Sequence, residues 1–260
     1  MATVAVVTAA TLTTATPALA AACVNVPAVA HRGGTERYVE NTGNAFRDAT
    51  NIGAPTWETD VQFDADNQPW IMHDDTVDRT TNGTGPVADL TTAQMAALRT
   101  TDDQPVPTLR DLVNDAEVDR ARIFPELKTM PTEPQWATFL AALGSRPIAD
   151  RIVVTSFDGP TLVALRTHTT LYATGLIQEL GDQTPASVTQ YGAHILIKHH
   201  NAITWGRLNA WQAGGLSVYA WTVDTDGEWQ RMNSYPAGWL DGVITNEPAG
   251  YLAWQRGRTC

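Results

Sequence analysis

A chain of 260 residues with a formal net charge of −11 has room for one α/β domain and too little for two, and it lacks the basic surface that nucleic acid or an anionic membrane requires. The acidic balance also means that any site for an anionic substrate must reverse the potential locally, with most of the charge on a solvated surface.

Residues 1–22 carry no charge and are rich in Ala, Val and Thr, with Ala18-Leu19-Ala20 as an Ala-x-Ala cleavage pattern. They read as a secretory signal peptide rather than a membrane span, although no Lys or Arg stands near Met1. The mature domain is then residues 23–260, and its expected destination is outside the cell. The only two cysteines, Cys23 and Cys260, stand at its ends. A disulfide between them suits an exported barrel whose termini meet on one face; two free thiols, or a lipid on Cys23, are the alternatives.

Strand-like segments follow at 28–32, 55–62, 122–127, 151–157, 171–178, 194–198, 217–222 and 242–245. Helical patterns lie between them, for instance at 42–51 (capped by Asn41), from 109 to 115, at 133–143 and at 204–212. Eight strands alternating with helices predict a single (β/α)8 TIM barrel. The stretch 75–104 breaks the alternation. A Gly-rich turn precedes a short helix near 90–98, which reads as a capping segment after strand 2.

The chemistry gathers where these strands end, the face on which a barrel keeps its active site. Glu58 and Asp60 are two apart, so on a strand they share a face, and Glu126 ends the third strand. Converging carboxylates repel unless a cation sits between them, and oxygen-only ligands favour Ca²⁺ or Mg²⁺ over Zn²⁺. His31 and His73 suit an acid–base pair, because imidazole titrates near neutral pH. Arg32 offers a planar fork for phosphate oxygens and Lys128 a point charge beside it. Trp221, closing strand 7, either walls the cleft against substrate or packs the rim. Ser156-Phe157-Asp158, Gln178, Glu179 and Lys198 or His199 are secondary rim candidates. His199 and His200 are adjacent, so on a strand they face opposite ways and joint metal ligation is not expected. The nine tryptophans are expected mainly to pack helices on the barrel.

Nine short motifs also occur in order: His31-Arg32-Gly33, Glu40-Asn41-Thr42, Glu58-x-Asp60, His73-Asp74, Thr80-Thr81-Asn82-Gly83-x-Gly85, Pro107-Thr108-Leu109, Glu126-Leu127-Lys128, Trp221-Thr222-Val223-Asp224, and Asp241-Gly242-Val243-Ile244-Thr245-Asn246-x-Pro248. On these the chain resembles the glycerophosphodiester phosphodiesterase family, of a secreted bacterial type. The resemblance implies a barrel holding one divalent cation on Glu58, Asp60 and Glu126. It also implies His31 and His73 as acid and base, with Arg32 and Lys128 near the phosphate. Val39 replaces the proline usual before Glu40-Asn41-Thr42, and the capping segment is shorter than in many relatives.

The expected activity is metal-dependent hydrolysis of a glycerophosphodiester to an alcohol and sn-glycerol 3-phosphate, by a monomer without stable membrane insertion. A phospholipase D-like lyase acting on lysophospholipids or sphingomyelin is the enzymatic alternative, and a silent binding protein the other.

Overall fold

Along each predicted strand one row of side chains faces inward and the other outward, and the computed structural model closes these strands into a barrel. It describes residues 23–144 and 148–259; the predicted signal peptide lies outside them, as does the Cys260 half of the predicted disulfide. The strands are β1 (Ala28–His31), β2 (Thr56–Phe63), β3 (Pro69–Ile71), β4 (Arg122–Leu127), β5 (Val153–Ser156), β6 (Ala173–Gln178), β7 (Ile195–His199), β8 (Ser217–Trp221) and β9 (Gly242–Thr245). All except β3 pair in parallel, and β1 pairs with both β2 and β9. Eight strands therefore close on themselves and leave no free edge, as the sequence predicts.

The helices are α1 (Gly43–Ile52), α2 (Thr92–Ala97), α3 (Leu109–Val118), α4 (Glu133–Leu143), α5 (Gly159–His168), α6 (Pro185–Thr189), α7 (Trp205–Ala213), α8 (Asp226–Met232) and α9 (Pro248–Gly257). Most begin at a Thr or Asp whose side chain accepts a free backbone N–H, as with Thr108, Asp158, Thr204 and Thr225. One cap differs from expectation. Thr42, not Asn41, caps α1, accepting from the Ala45 N–H at 3.3 Å. Asn41 has φ +59°, and its side chain turns toward the barrel mouth instead.

Two apolar layers hold the barrel. Val29, Phe124, Val153, Ile177, Ile195, Ile197, Tyr219 and Ile244 fill its interior. The alternate residues, such as Trp57, Val61, Ile123 and Leu196, pack outward against helix residues including Phe46, Trp136 and Trp211. A third cluster, Trp70, Met72, Val77, Val87, Met95 and Val106, is the private core of the capping segment. The sequence reading omits β3, which pairs antiparallel with β2 through Val61 and Ile71. Buried Asp64 makes the turn between them, accepting the N–H groups of Asp66 and Gln68 at 2.9 and 2.8 Å. This hairpin folds the chain back over the barrel mouth. Among the described residues no helix is long and apolar enough to cross a membrane.

Candidate active site

The pleat of β2 sets the site. Trp57 and Val61 bury outward, which forces Glu58 and Asp60 inward, and a one-residue slip would exchange the two sets. In register, Asp60 lies beside Glu126 on β4 and Glu58 beside His31 on β1. The three buried carboxylates thus converge, with one oxygen of each within 4.8 Å of the others.

Two cations face them. Lys128 Nζ lies 2.8 Å from Asp60 Oδ1 and 3.5 Å from Glu126 Oε1, and Arg32 Nε lies 3.3 Å from Asp60 Oδ2. Burial pushes the Asp60 carboxyl up, but Lys128 and Arg32 outweigh it and leave Asp60 below its ordinary value. Glu58 has less help: burial, then the charges of Asp60 and Glu126, raise it well above the usual carboxylate range. Burial likewise pushes Glu126 up to about 7 against the opposing charge of Lys128. Three carboxylates against two cations leave an excess of negative charge in a buried place.

That excess suits a divalent cation. Thr155 adds to the fit: it pairs in register with Glu126, and its hydroxyl is buried with no hydrogen-bond partner among the described residues. Hard oxygen donors of this kind match Ca²⁺ or Mg²⁺ or water bound to them.

His31, Arg32, Gly33 and Gly34 form a sharp turn at the end of β1. Arg32, Gly33 and Gly34 have φ of +56°, +84° and +91°, a left-handed run that glycine supplies at little cost. A Cβ on Gly33 would also sit 2.8 Å from the Ala45 Cβ. The turn bends Arg32 back over the site, where Nη1 donates to Glu40 Oε1 at 3.1 Å. Asn41 donates to Asp60 Oδ2 at 3.0 Å and accepts from the Thr59 hydroxyl at 2.8 Å. His31 is mostly buried; burial first, and Arg32 next, lowers its pKa.

His73 comes from the hairpin. The Met72 N–H donates to the Asp60 carbonyl at 3.0 Å and the Gln62 amide to the His73 carbonyl at 3.2 Å. Its Nδ1 lies 2.7 Å from Asp74 Oδ1. Arg79, which sequence reasoning missed, grips Asp74 from Nε at 2.6 Å and Glu40 from Nη2 at 2.7 Å. A continuous ionic chain therefore runs Asp60, Arg32, Glu40, Arg79, Asp74, His73. The hydrogen bond from Arg79 is the chief reason that Asp74 stays well below the usual carboxylate range.

These groups line one side of a cleft of about 320 Å³. Its other side is apolar, with Phe157, Ile177, Ile197, Trp221 and Ile244, and Glu179 stands on its rim. Trp221 meets Phe157 edge-on at 5.4 Å, and its indole N–H donates to the Gln178 carbonyl at 3.4 Å. Of the predicted site residues, His31, Arg32, Glu58, His73, Glu126, Lys128 and Trp221 line this cleft, and Asp60 sits at its floor against Lys128. Other rim candidates do not join it. Ser156 donates to the Leu127 carbonyl and Asp158 caps α5. Lys198 is buried outside the barrel wall on the Gln183 side chain. His199 and His200 stack on one another, and His200 faces Arg231 and Glu228.

The sequence model of the glycerophosphoryl diester phosphodiesterase family matches residues 31–249. The chain belongs to this family. Among its relatives, glycerophosphodiester phosphodiesterase 1 of Bos taurus is 30% identical over 81% of this chain and 75% of its own length. The glycerophosphodiester phosphodiesterase of Caldanaerobacter subterraneus subsp. tengcongensis is 27% identical over 85% of this chain and 93% of its own. Relatives from animals and bacteria alike mean that the match does not single out a secreted bacterial type. A phosphodiesterase of Oleispira antarctica, solved in complex with the product sn-glycerol-3-phosphate, superposes with a TM-score of 0.79 at 22% identity. That alignment covers 89% of this chain and 98% of the other, and it shows that the family's barrel is shared.

Proposed function

We propose that this chain hydrolyses glycerophosphodiesters to an alcohol and sn-glycerol 3-phosphate, with one Ca²⁺ or Mg²⁺ held by Glu58, Asp60 and Glu126. The observation that carries the reading is a buried cluster of three carboxylates at a cleft that two histidines line. The names of the relatives and the product bound to the Oleispira antarctica enzyme support it. When bound, the cation supplies positive charge that polarises a phosphate oxygen and offsets charge built up during displacement.

The chain's own groups do the rest. Lys128 spends its ammonium on Asp60 and Glu126 and has a third N–H for a phosphate oxygen. Arg32 is held at the cleft wall by Glu40 and Asp60, so its charge offsets the acidic site without a search through rotamers. His31 and His73 exchange protons with the attacking and departing oxygens. Trp221 and the isoleucines beside it exclude water from the apolar side and shape the place of the alcohol or glycerol. Export of residues 23–260 after removal of the leader, and a monomeric state, belong to the same reading.

The test is metal-stripped protein incubated with a panel of small glycerophosphodiesters, with and without Ca²⁺ or Mg²⁺, following glycerol 3-phosphate. Metal-dependent release is expected. Turnover of lysophosphatidylcholine or sphingomyelin in the absence of small-diester hydrolysis would establish the lyase alternative instead. No turnover of any of them would return the chain to a binding role.

A further inference from the structure

Asp224 and Asn246 lie just past the ends of β8 and β9, and the reaction described above gives them no part. The Asp224 carboxylate accepts three hydrogen bonds: from the Asn246 backbone N–H at 2.8 Å, the Thr245 hydroxyl at 3.0 Å and Asn246 Nδ2 at 2.7 Å. A carboxylate has no proton to give, so the Asn246 side chain has one satisfied orientation, with its NH₂ toward Asp224 and its carbonyl oxygen away from it. That oxygen lies 2.6 Å from His31 Nδ1. An amide oxygen can only accept, so neutral His31 carries its proton on Nδ1. Nε2 is then the bare nitrogen. It lines the cleft side of the ring 3.6 Å from Glu58 Oε2, too far for a hydrogen bond.

His73 has the opposite kind of partner. Its Nδ1 faces the Asp74 carboxylate at 2.7 Å, and Arg79 holds that carboxylate with two donors, at 2.6 and 3.0 Å. That contact turns the other ring nitrogen of His73, Nε2, away from Asp74.

We propose that Asp224, acting through Asn246, is a positioning residue that sets the His31 tautomer and so leaves Nε2 bare to serve as the base of the pair, with His73 as its partner. This rests on the phosphodiesterase reading above. The oxygen of the attacking hydroxyl, from water or from the substrate's glycerol, bonds to phosphorus as its proton passes to His31 Nε2. The phosphorus–oxygen bond to the alcohol breaks, its electron pair stays on the alcohol oxygen, and that oxygen takes the proton of His73 Nε2. One proton is gained and one lost, and exchange with solvent resets both rings.

The tautomer can be read without turnover. Long-range ¹H–¹⁵N correlation on Mg²⁺-loaded protein labelled at its six histidines, at pH 8, distinguishes protonated Nδ1 from protonated Nε2, and His31→Gln identifies the His31 signals. The expected wild-type spectrum shows Nδ1–H and a bare Nε2. In Asp224→Asn the Asn246 amide is free to flip, so an Nε2–H form should appear. Turnover of glycerophosphoglycerol should then fall about 10²–10⁴-fold in kcat with KM within about threefold, as for a wrong tautomer in other histidine hydrolases. Nε2–H in the wild type, or wild-type kcat in Asp224→Asn, would overturn the proposal. If Asp224→Asn does not fold, the wild-type spectrum decides alone. An Nδ1–H His31 in a protein that releases no glycerol 3-phosphate would overturn the phosphodiesterase reading, and the base role with it, while the ring's orientation would stand.

Discussion

Metal affinity should rise with pH, because without a cation the site holds its carboxylates partly protonated. Burial is the main cause at both Glu126, pushed up to about 7, and Glu58, which stands well above its ordinary value. A divalent cation binds the ionised forms and so expels protons. With a pKa of about 7, Glu126 is ionised in about a tenth of molecules at pH 6 and about nine tenths at pH 8. This group alone should therefore strengthen Mg²⁺ or Ca²⁺ binding about tenfold across that range, and Glu58 acts in the same direction.

The same shift governs the stability of the metal-free chain. The folded-state pKa of Glu126 lies above its ordinary value of 4.5, so the folded state binds the extra proton. The associated stability is fully present below about pH 4.5 and is lost as pH rises through about 7, on the order of 3 kcal/mol. Bound metal offsets the loss, so the gap in Tm between loaded and stripped protein should widen from pH 5 to pH 8. Calorimetric titration in two buffers of different ionisation enthalpy would count the protons released. Equal affinity at pH 6 and pH 8, with no proton release, would refute the account of the site's charge.

Replacing His31 or His73 by Ala should lower kcat by about 10²–10⁴-fold and leave metal affinity and Tm nearly unchanged; a normal rate in either variant removes that residue from the chemistry. Glu58→Ala or Asp60→Ala should lose metal binding and activity together, and tight Mg²⁺ or Ca²⁺ binding in calorimetry would show the ligand set to be wrong. Arg79→Met leaves Asp74 and Glu40 without their shared clamp, so kcat should drop about tenfold or more through misplacement of His73; an unchanged kcat would mean that the ionic chain does not position that ring. Trp57→Ala empties a fully buried site between β2 and α1 and should cost about 3–5 kcal/mol in denaturant unfolding; a loss below about 1 kcal/mol would contradict its place in the outer core.

The barrel was legible because local periodicity carries it. Trp57 and Val61 flank two carboxylates on a strand whose side chains alternate, so Glu58 and Asp60 had to share a face whatever surrounds them. The candidate metal ligands were legible for the same reason, and His31 because it ends β1, whereas His73 stood out only through the His73-Asp74 motif. β3 escaped because three residues beginning with proline show no alternation. Asn41 is of a residue type that fits a cap; only the left-handed backbone, set by packing of the turn against Asp60 and Thr59, sends its side chain into the site. Arg79 and Asp224 likewise reach partners at Glu40 and Asn246, 39 and 22 positions away. Lys198 and His199 were equal candidates until barrel closure decided which faced out. The sequence by itself thus determined the strands, their inward faces and the residue types at their ends, because these follow from a two-residue repeat. Which donor meets which acceptor across the mouth was decided only by tertiary structure, because closing the barrel brings together strand ends that no local pattern relates.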